Sequence, residues 1–435
     1  MRIDRLELEN FKKFSSLAID FHPHFTLLAG ENGSGKTSLL DALAVAAGIW
    51  LVEPPDSVLS GSRRNILRNE IRLAAQAKGD RVQFAEQRPV VVRATGRLGE
   101  GGPVVWSRQI RPTGSRTVNG DAKEALDFVR SVYSRDQAGE AVLCPVLAYY
   151  GAGRAWLPSN QRGEKPKANG VARRWAALYD CFNERIRFDE LTKWFRREAI
   201  ERGNRGGQWR PGFDAVRIAV LGSVPDADAI WFDTDRDQIV LSIGGEAQPF
   251  DNLSAGQKMM LAMVADLAIK AVTQNAFLVP SGSVSDGDPE RVLRETPGLV
   301  LIDELDVHLH PKWQRRVAGD LKRIFPGIQF VCTSHSAQVI GELPAAEIRL
   351  LEDSAVTVPE RSFGMDSNRV LEEIMGASTR NAEQSLLLRQ LFAAIDQENF
   401  DGARVLLSSI ESNVGPDEPE VTRARALMAF LESGQ

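Results

Sequence analysis

Residues 30–37 read GENGSGKT, the pattern G-x-x-x-x-G-K-[ST] of a phosphate-binding loop. An apolar run, Phe25 to Ala29, precedes it, and a helical segment from Ser38 to Ala47 follows. That order is what the chemistry needs. A strand delivers the loop, and the loop opens into a helix N-terminus whose unpaired N–H groups and dipole favour anions. Gly30, Glu31, Asn32, Gly33, Ser34, Gly35 and Ser38 supply a backbone cradle for the phosphates of ATP. Lys36 reaches the β- and γ-phosphates, and the Thr37 hydroxyl ligates Mg2+. The chain therefore reads as a binder of nucleoside triphosphate.

Composition bounds the rest. At 435 residues the chain has room for two or three domains. Hydrophobic content of 43% and charged content of 26% are those of an ordinary globular protein. The net charge of −5 excludes a polycation, so any DNA contact has to come from a local patch. Cys144, Cys181 and Cys332 are far apart, with no C-x-x-C spacing. That fits buried thiols in a reducing compartment and argues against a zinc site. No stretch approaches the roughly 20 apolar residues of a membrane span, and the opening MRIDRLELENFKKF lacks the apolar core of a signal peptide. The expectation is a cytoplasmic protein with no membrane contact.

Along the chain, residues 3–9 and 17–21 read as strands. Residues 38–78 read as largely helical, broken at Pro54 and Pro55. Strand character returns at 89–96, 103–110 and 141–150. From Leu157 to Arg174 the chain turns Pro-, Gly-, Asn- and Lys-rich, which reads as a linker. Trp175, Leu178, Tyr179, Phe182 and Ile186 then form a stripe at helical spacing, and Leu191, Trp194 and Phe195 predict a second helix. Between 162 and 210 there are 13 Lys+Arg against 7 Asp+Glu, a basic insertion in an acidic protein. Residues 216–244 read as antiparallel strands, 255–273 as a helix and 281–298 as a loop. Short apolar runs at 299–302 and 328–332 read as parallel strands buried on both faces. The last 55 residues read as helices split near Gly402 and again at GPDEP, with 4 basic and 9 acidic residues.

The second half adds four motifs. LVLIDE (299–304) is an apolar strand ending in two carboxylates. Beside a phosphate loop, Asp303 holds Mg2+, directly or through water, and Glu304 is placed to polarise the attacking water as a general base. LSAGQ (253–257) opens a helix; LDVHLHP (305–311) follows the carboxylates; QFVCTSHS (329–336) is a strand ending in Ser334-His335-Ser336. The pairs His308/His310 and His22/His24 invite a metal reading, but His308 and His310 fall inside the LDVHLHP pattern.

LSAGQ resembles the LSGGQ signature of ABC-type ATPases, with Ala255 in place of the first glycine. That resemblance implies a head-to-tail homodimer in which Ser254, Gly256 and Gln257 of one subunit face the γ-phosphate held by the other. LDVHLHP resembles the D-loop, with Asp306 toward the opposite subunit, and His335 matches the histidine that senses the γ-phosphate. The opening LELENFKKFSSLAIDF, the GENGSGKT loop and DE-x-x-x-HLHP resemble the SMC, RecF and overcoming-lysogenisation branch rather than transporter ATPases. The resemblance covers residues 1–50 and 250–340. No Q-loop residue stands out among Gln76, Gln83 and Gln87. More narrowly, AYYGAGRAW (148–156), SFGMDSNRVLEEIMG (362–376) and the helical C-terminus resemble the ATPase subunits of Septu anti-phage systems (PtuA), also found beside some retrons. That implies a partner HNH-type nuclease (PtuB-like) docked on the C-terminal region, with DNA or a retron reverse transcriptase and its DNA product as further partners.

The expected fold is α/β: an ABC-type P-loop ATPase head with a mostly parallel core sheet, an antiparallel β subdomain, a short helical insertion and a helical C-terminal region. Its expected parts are 1–156 (phosphate-loop half of the head), 157–210 (basic linker and insertion), 211–360 (signature, Asp-Glu strand and switch histidine) and 361–435 (docking tail). Three functions follow: a defence ATPase controlling a partner nuclease, a RecF-like repair ATPase binding DNA through residues such as Arg173, Arg174, Arg196 and Arg197, or a transporter motor. The HLHP pattern and the acidic tail weigh against the last. The tail shows no D-x-D at a strand end, so it reads as a docking module without a nuclease of its own. Tyr149, Tyr150 and Trp156 could touch a base, though such aromatics usually pack a core.

Overall fold

A computed structural model of the chain describes residues 1–53, 62–78, 81–155, 173–279 and 288–433. Pro54, Pro55, Trp156, most of the linker, the Arg173 side chain and part of the 281–298 loop lie outside the described residues. Two compact units are present, Met1–Ser367 and Asn368–Gln435.

The first unit opens with β1 (Arg2–Phe11), β2 (Phe14–Asp20), β3 (Phe25–Ala29) and helix α1 (Lys36–Ala47). A hairpin, β4 (Leu73–Lys78) and β5 (Arg81–Glu86), precedes β6 (Val90–Arg97), β7 (Val104–Ile110) and β8 (Val118–Gly120). Then come α2 (Lys123–Gln137), β9 (Val146–Tyr150), α3 (Phe188–Asn204) and α4 (Pro211–Ser223). The chain continues through β10 (Ala227–Asp233), β11 (Gln238–Ile243), β12 (Glu246–Pro249), α5 (Ala255–Gln274) and α6 (Arg291–Glu295). It closes with β13 (Gly298–Ile302), α7 (Pro311–Ile324), β14 (Ile328–Thr333), α8 (Ala337–Gly341), β15 (Ile348–Glu352) and β16 (Ala355–Thr357).

Two sheets carry the site. The central sheet runs β16-β15-β3-β14-β13-β9, with β9, β13, β14, β3 and β15 mutually parallel and β16 antiparallel at one edge. β3, β13 and β14 are buried along their whole length, which is why they read as unbroken apolar runs. The second sheet, β2-β1-β6-β7-β8, is antiparallel. Its strands alternate: Leu6, Leu8, Leu17, Val90, Val92 and Trp106 point inward, while Glu7, Ser16 and Arg93 face outward. Helix α1 lies against strands of both sheets, with every residue from Leu39 to Ala47 buried. Its alanines let both sheets approach. Trp106 Nε1 bonds the Ala46 carbonyl at 2.9 Å. Buried Arg108 sits at the same C-terminal end, near the Val45 carbonyl, where the helix dipole favours a cation. Burial, with Arg64 adding, brings its pKa down to about 10.

A helical turn, α9 (Ser367–Arg369), leads to the second unit, which holds α10 (Ala382–Asp396), α11 (Phe400–Val414) and α12 (Pro419–Ser433). These three pack around Leu391, Ile395, Ala403, Ile410, Val421 and Ala424. Asn381 and Asn399 cap α10 and α11 through the N–H groups of Gln384 and Gly402. The cap at Asn399 is the physical reason for the break read near Gly402.

Three sequence expectations need correction. Residues 62–78 form no α-helix: α1 ends at Ala47 in a 3-10 turn (Gly48–Leu51), only a 3-10 turn forms at Arg68–Glu70, and Leu73–Lys78 pairs with Arg81–Glu86 as a hairpin. The stripe at 175–186 is no α-helix; only a 3-10 turn, Arg173–Leu178, forms. Trp175 and Leu178 are core residues nonetheless. Residues 216–223 belong to helix α4 and not to a strand. Pro211 starts it at the first helical position, and Phe213, Val216, Ala219, Val220 and Ser223 are buried at helical spacing. In addition, α6 occupies part of the stretch read as a loop.

Candidate functional site

In an open α/β sheet, ligands bind beyond the carboxyl ends of the strands. Here the phosphate loop follows β3, Asp303-Glu304 follow β13, and Thr333 to Ser336 close β14, which lies between them. Sequence separation of nearly 300 residues is thereby reduced to three adjacent strand ends.

The loop is shaped by left-handed glycines, φ +144° at Gly30, +78° at Gly33 and +107° at Gly35. At Gly35 a side chain is excluded twice, by that φ and by the Phe14 ring, 2.4 Å from where a Cβ would be. Glu31, Asn32, Gly33 and Thr37 are exposed, Gly30, Gly35 and Ser38 partly so, and Ser34 and Lys36 are buried. Lys36 Nζ donates to the Gly30 and Glu31 carbonyls, both at 2.9 Å. Burial lowers its pKa, opposed by Asp303 and Glu304. Among the described residues the Ser34 hydroxyl is buried without a hydrogen-bond partner, an arrangement proteins rarely leave unused. An unpartnered hydroxyl, a buried ammonium and a glycine-shaped turn at a helix N-terminus fit a bound phosphate. Lys13, from the β1–β2 turn, reaches over the loop to the Gly33 carbonyl at 2.6 Å, a cation that motif reading missed although FKKF stood in plain view.

The carboxylates are held by their neighbours. Thr37 Oγ1 donates to Asp303 Oδ2 at 2.9 Å, and Thr333 Oγ1 donates to Asp303 Oδ1 at 2.6 Å. A threonine hydroxyl and a carboxylate meeting at this end of the loop suit a hard divalent ion such as Mg2+. Glu304 N donates to Thr333 Oγ1 at 2.7 Å, and Ser334 Oγ donates to Asp306 Oδ1 at 2.5 Å. The end of β14 thus brackets the Asp-Glu turn and the loop after it. Glu304 is exposed at φ +51°; a non-glycine residue there carries strain of about 1–3 kcal/mol. His335 is exposed between bonded Ser334 and Ser336, the latter capping α8. Partial desolvation and then Lys36 hold its pKa below the ordinary 6.5, opposed by Asp306, Glu304 and Asp303, which favours the neutral imidazole that can both accept and donate a hydrogen bond.

Ser254 is the N-cap of α5, bonded reciprocally with Gln257. A Cβ on buried Gly256 would lie 2.7 Å from the His308 carbonyl, so the signature helix leans on the loop carrying Asp306. Among the described residues, 254–257 make no hydrogen bond to the phosphate loop of the same chain. His310 caps α7 through Lys312 N. Gln76 and Gln83 face each other across the β4–β5 hairpin, and Gln87 donates to the Ala85 carbonyl. Tyr149 and Tyr150 are buried in β9. Tyr150 was not singled out for catalysis, yet it links two motifs: its carbonyl accepts from Asp303 N at 2.8 Å, and its hydroxyl bonds Asp266 of α5 at 2.6 Å.

Comparison with known proteins is consistent with this geometry. Two AAA-domain models match, one over residues 5–201 and one, described as an AAA domain, putative AbiEii toxin, Type IV TA system, over 239–341. The retron Ec83 probable ATPase of Escherichia coli is 33% identical over 96% of this chain and 85% of its own length. The chain belongs to the retron ATPase family. Its motifs resemble those of ABC-type ATPases of the SMC/RecF branch. The Septu protein PtuA of Bacillus mycoides is 24% identical over 80% of this chain, which spans 40% of that protein. Among solved structures, an SMC head bound to the C-winged helix domain of ScpA is 16% identical, with a TM-score of 0.46, over 82% of this chain and 97% of that one. No helix among the described residues is long and apolar enough to cross a membrane.

Proposed function

We propose that this chain is the cytoplasmic, ATP-hydrolysing subunit of an anti-phage defence complex, and that nucleotide-dependent closure of a homodimer regulates a partner HNH-type nuclease. The carrying observation is the division of the site. Lys36, Thr37, Asp303, Glu304 and His335 gather at the strand ends, while Ser254, Gly256 and Gln257 on α5 and Asp306 on the neighbouring loop make, among the described residues, no hydrogen bond to the phosphate loop. Half-sites of that kind are completed by a second copy, and ATP shifts the equilibrium by contacting both halves only when closed. The ion, when bound, neutralises phosphate charge. The chain's own contribution is positioning: Thr333 orients Asp303 and Glu304, Glu304 accepts a proton from the attacking water, and His335 reads the terminal phosphate.

The tail is proposed as the nuclease dock, because its core is self-contained and its surface is acidic. Deleting residues 381–435 should leave ATP affinity within about threefold of the full chain and abolish co-purification of the nuclease. If ATP binding disappears as well, the tail is part of the catalytic fold and the docking assignment fails.

A RecF-like reading with direct DNA binding is less favoured by the insertion's chemistry. Arg174 is spent internally on the Gln274 carbonyl and Asp136, Arg196 on Asp237, and Arg210 on Glu198. Arg197 is exposed without an ion pair among the described residues. Tight DNA binding by the isolated chain with a steep salt dependence would reverse this preference.

A further inference from the structure

β9 is an edge strand beside β13, and its outer amides need partners. An irregular segment supplies them: Tyr149 N donates to the Cys181 carbonyl at 2.8 Å and Gly151 N to the Glu184 carbonyl at 2.9 Å. The second bond sets Glu184 beside the paired carboxylates, since the preceding residue, Tyr150, accepts from Asp303 N. Gly151 lets the Glu184 side chain close in. A Cβ at that glycine would lie 2.5 Å from Glu184 Oε2.

Several carboxylates share this neighbourhood with two cations, Lys12 and Arg64. Asp41 is paired with Lys12 and Arg64, and Arg64 also holds Glu70. Lys36 is committed to loop carbonyls. Glu184 has no hydrogen bond or ion pair for its carboxylate among the described residues. Its side chain is solvent-exposed, but partial desolvation, then Asp41 and Asp303, raise its pKa above the usual carboxylate value, opposed by Lys12 and Arg64. The Tyr149 hydroxyl, in a side chain only 2% exposed, has no hydrogen-bond partner among the described residues and feels the charges of Asp41, Asp303 and Glu184. Among the described residues, then, a carboxylate with no direct ion pair and a buried hydroxyl with no hydrogen-bond partner both lie close enough to Asp303 to feel its charge.

We propose that Glu184 is a positioning residue for the divalent ion, accepting a hydrogen bond from a water on the ion held by Thr37 and Asp303. The role is through water, because among the described residues no three His, Cys, Asp or Glu side chains converge as a ready-made cage. Groups one shell out orient the inner ligands and tune metal affinity. The proposal rests on the reading that this site binds ATP with Mg2+.

Calorimetric titration of ATP into the full chain, at a series of Mg2+ concentrations and in EDTA, tests it with Glu184→Gln and Glu184→Asp. Glu184→Gln should match the parent in EDTA while its half-saturating Mg2+ rises roughly ten- to hundredfold, and Glu184→Asp should recover part of the loss. Unchanged Mg2+ dependence in Glu184→Gln overturns the positioning role. Equal weakening with and without Mg2+ also overturns it, by assigning Glu184 to the fold. A parent chain whose ATP affinity ignores Mg2+ defeats the underlying reading as well.

Discussion

Glu304→Gln should bind ATP as tightly as the parent chain, hydrolyse it at least about a hundredfold more slowly, and sediment as a dimer with ATP while remaining a monomer without it. The substitution is isosteric and removes only the charge proposed to accept the water's proton. The backbone around it is over-determined: Thr333 fixes the Glu304 amide, Tyr150 the Asp303 amide and the Thr333 carbonyl the Leu305 amide. The strained φ of +51° therefore persists in the variant, and Asp303 keeps both its threonine partners. A general base typically contributes about 10²–10⁴ in rate, which sets the scale. Sedimentation velocity at matched ATP concentrations reads the dimer. A variant that binds ATP yet sediments like the nucleotide-free parent sinks the closure model; one that hydrolyses at the parental rate removes Glu304 from the chemistry.

How much of this site was legible in the sequence depends on whether a motif is local. GENGSGKT carries its own strand, glycines and helix start, so the loop is readable without a fold. LVLIDE and QFVCTSHS are likewise strands with their functional residues attached, and burial on both faces explains their unbroken apolar runs. What escaped depends on contacts between distant segments. Tyr150 matters because β9 pairs with β13, and Lys13 because a hairpin turn folds over the loop. The stripe at 175–186 shows the competing force most clearly. Its apolar spacing suits a helix, but the unpaired edge of β9 takes the Cys181 and Glu184 carbonyls, and Asp180 turns the chain at φ +53°. Residues 181–184 therefore serve the sheet, while Trp175 and Leu178 still reach the core. At 211–223 the reverse held: Pro211 and a three-to-four-residue apolar period produced a helix where short runs had suggested strands.

Lys36→Met should cost about a hundredfold or more in ATP affinity and abolish the ATP-dependent dimer, without unfolding the chain. Charge-assisted hydrogen bonds to phosphate are worth about 1.5–3 kcal/mol each, and the ammonium is placed to make more than one. Folding is a separate matter. Burial lowers the Lys36 pKa from 10.5, so between that lowered value and 10.5 the unfolded chain holds a proton that the folded chain has released. Stability from this group therefore rises with pH, and at neutral pH the charged lysine is a cost to the nucleotide-free fold. Met keeps the stem's packing, removes that cost and forfeits two hydrogen bonds to the Gly30 and Glu31 carbonyls. The two effects oppose, so the melting temperature without nucleotide should move by only a few degrees. In the parent, ATP at a hundred times its Kd should add about 2.7 kcal/mol of stability, and this increment should vanish in Lys36→Met. Thermal melts with and without Mg-ATP separate the outcomes. A collapse of the nucleotide-free melt would make Lys36 a structural residue. A surviving ATP-dependent rise would place the phosphates somewhere other than the loop at residues 30–37.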